Sequence, residues 1–79
     1  MQVIPRVMEK WIDEKHYMLY VVDGEHLRAI QRLVGVYGRL SDPSPTSRTG
    51  YSMFFAISPN YASADVVKYL KDIGFEERR

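Results

Sequence analysis

The chain contains no cysteine. Disulfide bridges and thiolate metal sites are therefore excluded, and no covalent staple supports its core. It has no apolar run near the ~20 residues that a membrane-spanning helix needs. Arg6, Glu9 and Lys10 interrupt the start of the chain, which does not read as a signal peptide. These absences together lead us to expect a cytoplasmic protein.

Glycine-rich phosphate loops of the G-x-x-x-x-G-K-[ST] or G-x-G-x-x-G type are missing, so Gly24 stands alone before a helix. No serine lies in a G-x-S-x-G turn, and no His-x-x-x-His pair occurs. Asp23, Glu25 and His26 are the nearest approach to a polar site. Capping of the following helix accounts for Asp23 and Glu25 without invoking a metal or acid–base chemistry. We therefore expect no enzyme activity, no catalytic residues, no metal and no cofactor.

Charge of one sign is also lacking, since the net charge is only +1 over 79 residues. The middle of the chain is nevertheless basic. Arg28, Arg32, Arg39 and Arg48 there face only Glu25 and Asp42. Arginine suits bidentate contacts to carboxylate or phosphate better than lysine does.

Hydrophobic residues make up 46% of the chain and charged residues 27%, a globular balance. A single domain over residues 1–79 is expected, and one this short buries only about 60% of its unfolded surface. Residues 17–22 (Tyr-Met-Leu-Tyr-Val-Val) and 51–57 are short apolar runs, read as strands buried on both faces. Each precedes a helical repeat. The first comprises Leu27, Ile30, Leu33, Val34, Tyr37 and Leu40, running to about Gly38. The second comprises Val66, Val67, Leu70 and Ile73, with Ser63 as N-cap. Gly74 and Phe75 suit a Schellman-type ending onto Leu70. Residues 41–50 are an exposed loop and residues 76–79 a charged, frayed tail.

The first segment fits two readings. Val3, Ile4, Val7, Met8, Trp11 and Ile12 share a helical face, with Arg6, Glu9, Lys10 and Asp13 opposite. The competing reading is a strand over 7–12, turning at 13–15 to pair with 17–22. The helix is preferred because alternation of period two is poor. The expected fold is thus a small two-layer α/β domain in the order α-β-α-β-α, with ββαβα and an N-terminal hairpin as the alternative. Two strands make a marginal sheet. A homodimer completing the sheet by edge pairing, or another partner, is therefore expected.

Arg28, Arg32 and Arg39 fall on one stripe of the expected second helix, with Arg48 on the following loop. Arginines and aromatics are favoured interface anchors. These four, with Tyr61, point to a non-enzymatic protein-binding module. It would be a small accessory, regulatory or inhibitory protein of the kind bacteria and their phages make.

The run Leu19-Tyr20-Val21, followed by a helix toward Val36-Tyr37-Gly38-Arg39-Leu40, loosely resembles the first strand and helix of an RNA-recognition motif. Arg48-Thr49-Gly50-Tyr51-Ser52-Met53-Phe54-Phe55 loosely resembles that family's second aromatic strand. The resemblance implies single-stranded nucleic-acid binding, with Tyr20, Tyr51 and Phe54 stacking on bases. It also implies a strand between Leu40 and Tyr51 and another after the last helix. Neither is read from the residues.

Overall fold

The computed structural model describes residues 6–46 and 50–78. Two helices cover one face of a mixed sheet. The elements run β1 (Arg6–Lys10), β2 (His16–Val21), α1 (Leu27–Gly35), β3 (Gly38–Leu40), β4 (Ser44–Pro45), β5 (Tyr51–Ile57), α2 (Ser63–Asp72) and β6 (Glu76–Arg78). The sheet order is β3-β5-β2-β1-β6, with β4 also on β5. Among the described residues only the β1–β6 pairing is parallel. The α/β class holds, but the order α-β-α-β-α does not.

The first correction is at the N-terminus, where β1 replaces the expected helix. Val7 and Met8 are both buried, and they lie on opposite faces of the sheet. Adjacent residues buried on both faces of a strand are both apolar, which a helical repeat imitates. The hairpin to β2 is set by Asp13. Its Oδ1 accepts the Lys15 backbone N–H at 2.8 Å and lies 2.8 Å from His16 Nδ1. The Trp11 N–H donates to the His16 carbonyl at 2.9 Å, closing the turn.

The second correction is the end of α1. The helix stops at Gly35, not near Gly38. Gly38 instead opens β3 opposite Ile57, where an added Cβ would collide with the carbonyl oxygen of Ala56. Beyond β3 the Ser41 side chain stands in for backbone, its Oγ accepting the Phe54 N–H at 2.8 Å. The expected loop 41–50 then contributes β4, paired with Ser52 and Tyr51. The expected tail contributes β6 beside β1.

The expected caps also differ. Asp23 makes no side-chain cap, and a 3-10 turn over Gly24–His26 leads into α1. Ser63 is the first residue of α2, and its hydroxyl has no partner. At the other end, the Phe75 N–H donates to the Leu70 carbonyl at 2.9 Å and the Gly74 N–H to the Lys71 carbonyl at 3.1 Å. Gly74 takes φ +104°, completing a Schellman ending that buries Phe75.

The strands β2 and β5 are buried on one face, not two. Tyr17, Leu19 and Val21 alternate inward, as do Met53, Phe55 and Ile57. They meet Ile30 and Val34 of α1 and Val66 and Leu70 of α2. The chain supplies flanking strands for both, so the expected need for a second copy to complete the sheet disappears. No described helix is long and apolar enough to cross a membrane.

The two glycines around the end of α1 should respond oppositely to alanine. Gly38→Ala should cost about 1 to 3 kcal/mol through overpacking. Gly35→Ala meets open space and should gain about 0.5 to 1 kcal/mol. Urea titration of both variants checks this.

Candidate interaction face

The face of the sheet away from the helices follows from the pairing register. In one row Arg39 pairs with Ala56, and Ala56 with His16. In the next row Phe54 pairs with Met18, Met18 with Glu9, and Glu9 with Arg78. In the third, Ser44 pairs with Ser52, Ser52 with Tyr20, Tyr20 with Val7, and Val7 with Glu76. Continuing the β1–β2 register sets Trp11 opposite His16, on this same face. The indole packs against Phe54 with ring centroids 4.5 Å apart and planes tilted by 39°. Trp11 remains 55% exposed, Phe54 44% and the neighbouring Ile12 64%.

Beside the ring pair lies a hollow of about 290 Å³ lined by Trp11, His16, Arg39, Phe54 and Ala56, with neighbouring backbone. Ala56 forms a low floor between Arg39 and His16. The Arg39 side chain makes no ion pair or hydrogen bond among the described residues. His16 is held 2.8 Å from Asp13. The hydrogen bond to His16, then the Lys15 N–H, holds the Asp13 carboxyl below its ordinary value. At the other side, Arg78 and Glu9 pair at 3.3 Å.

The expected binding residues are distributed differently from the helical stripe. Arg28 and Arg32 lie exposed, four residues apart on α1. Arg39 is on β3 and the opposite side of the molecule, because the helix that would have aligned it ends first. Arg48 lies outside the described residues. Tyr61 packs edge-on to Tyr37 at 5.0 Å, and Tyr37 also meets Tyr69 at 4.7 Å. Of the three aromatics in the nucleic-acid reading, Tyr20 and Phe54 share the open face on adjacent strands. Tyr51 does not. It packs against the core beside Gly24. Trp11 is the aromatic that sequence reasoning assigned elsewhere. The Asp13-Glu14-Lys15 turn was the signal that places it with Phe54.

The Asp23, Glu25 and His26 group does not converge. His26 and Glu25 pair at 3.4 Å in solvent. Asp23 turns to Arg6, with Oδ2 at 2.9 Å from Nη2. Arg6 also donates to the Ile73 carbonyl, linking β1, the turn after β2 and the end of α2. Burial opposes ionisation of Asp23, but the Arg6 hydrogen bond and charge outweigh it and hold the carboxyl below its ordinary value. Among the described residues, no group of three or more histidine, aspartate or glutamate side chains is placed to hold a metal.

Comparison with known proteins finds no family model that matches the chain, and no curated protein or solved structure that matches it.

Three outcomes follow. Phe54→Ala should cost about 0.5 to 1.5 kcal/mol and red-shift the emission of Trp11, the single tryptophan. Arg6→Ala should cost about 1 to 3 kcal/mol by orphaning Asp23. The depressed Asp23 pKa contributes stability that is full above the ordinary value of 3.8 and is lost as pH falls through the lower folded value. Asp23→Asn should therefore be less stable than the parent at pH 6, with the gap closing below 3.8. Urea titrations across pH measure it.

Proposed function

We propose that this is a non-enzymatic binding module that engages a partner protein through the open face of its sheet. The observation that carries the reading is the Trp11–Phe54 ring pair, exposed on a face that no described helix covers. Aromatic side chains with an adjacent arginine are the usual energetic anchors of protein interfaces. Here Tyr20, Met18 and Arg39 flank the rings. The charges of the face also favour a protein. Among the described residues of this face, Arg39 and Arg78 are offset by Glu9 and Glu76, which leaves no excess of cations there to track a phosphate backbone. The helix-stripe version of the reading has less support, since only Arg28 and Arg32 remain side by side. A reducing compartment such as the cytoplasm suits a chain without cysteine.

Single-stranded nucleic acid is the second reading. Its support is that Tyr20 and Phe54 lie diagonally on adjacent strands of the open face. From β2 onward, leaving aside the two-residue β4, the elements also follow the order β-α-β-β-α-β. Of the two strands that the loose resemblance to an RNA-recognition motif implies, the one after α2 has a counterpart in β6, whereas between Leu40 and Tyr51 the described residues hold only the two-residue β4, β3 ending at Leu40.

Affinity capture from cells that carry the gene tests the first reading with three baits. The parent and Arg28→Glu/Arg32→Glu should retain the same protein, and Phe54→Glu should lose it. Retention by Phe54→Glu, with loss by the double arginine variant, would return the interface to α1. Quenching of Trp11 by a short oligonucleotide, weakening steeply with salt, would favour the second reading.

A further inference from the structure

We propose that the partner met by the open face is a second copy of this chain, packed face to face about a two-fold axis. The proposal rests on the reading of that face as a protein interface and names its occupant.

The charge layout carries it. Arg39 stands on β3 at one side of the sheet, in the row of Ala56 and His16. Glu76 stands on β6 at the other side, in the row of Val7 and Tyr20. The face between them is occupied by Trp11, Phe54, Met18 and Tyr20. Neither Arg39 nor Glu76 has an ion-pair partner among the described residues, whereas Glu9 and Arg78 satisfy each other. Unpaired opposite charges at opposite corners of one apolar face make that face complementary to itself. A two-fold axis in the interface plane, across the line from Arg39 to Glu76, sets each arginine against the other copy's glutamate. An isologous contact of this kind closes at two copies.

The edges of the sheet disfavour the alternative, strand-to-strand association. Glu76, Glu77 and Arg78 line one edge with charge, and Pro43 and Pro45 interrupt the other. Size sets the strength. Five strands about 4.8 Å apart and some five residues long give a face of roughly 400 Å² per copy. Twice that area falls below the range of standard stable interfaces. A contact of that size belongs to the weak, reversible class.

Sedimentation velocity from about 1 to 500 micromolar, read together with Trp11 emission, tests it. The parent should move from monomer to dimer, with a blue shift of Trp11. Arg39→Glu alone and Glu76→Arg alone should each dimerise at least ~10-fold more weakly, because each puts like charges together. An equimolar mixture of the two should regain association within ~3-fold of the parent, since every cross-copy contact in the heterodimer is again opposite in sign. A parent that stays monomeric throughout would overturn the proposal, as would single variants that dimerise like the parent. So would a mixture that fails to recover. The bait experiment reads a distinct outcome. Loss of a different captured protein by Phe54→Glu, in a chain that stays monomeric, would keep the face as an interface and end the claim of self-association.

Discussion

The pairing of β2 with β5 is the constraint on which the rest of the molecule depends. Tyr17 opposite Phe55 and Leu19 opposite Met53 put buried apolar side chains on one face. The same register puts Met18 opposite Phe54 and Tyr20 opposite Ser52 on the other. A slip of one residue would exchange the two sets completely. The inward set meets Ile30, Val34, Val66 and Leu70 and so selects the register. The outward set is carried along with it. Core packing therefore creates the exposed aromatic face as a by-product of its own geometry.

Both helices fall on the same side because both inward stripes need the same surface. Arg6 fastens this arrangement from β1, reaching the Ile73 carbonyl at the end of α2 and Asp23 after β2. Asp23 is thus committed to holding elements together, which explains its low pKa without a chemical role. Tyr17 deviates for an equally structural reason. Burial, with Glu77 and Glu14 nearby, pushes its phenol up. On the other side no described helix covers the sheet. Val7 is buried there, yet Trp11 and Phe54 stay largely wet.

The sequence revealed the parts of the fold that bury most apolar surface. The strands around Leu19 and Phe55 were readable, as were the inward stripe of α2 and its Gly74–Phe75 ending. What it concealed has a common physical origin. In β1 Val7 and Met8 are both buried although they point to opposite faces, so the period of two is lost. β6 is an exposed edge strand of Glu76, Glu77 and Arg78 and carries no hydrophobic signal at all. β3 has three residues and begins at Gly38, which resembles a helix stop until the closeness of Ala56 is known. The interaction face suffered accordingly. Tyr20 and Phe54 were legible as a pair, but Trp11 depended on recognising the hairpin, and Arg39 on knowing where α1 ends.

Methyl-labelled methionine gives the most direct test of this account, through nuclear Overhauser contacts of Met18 and Met53. The account predicts that the Met53 methyl contacts Leu19 and the core, while the Met18 methyl contacts the Phe54 ring. Contacts from Met18 to the helices α1 or α2, or from Met53 to Tyr20, would contradict the register and the face built upon it.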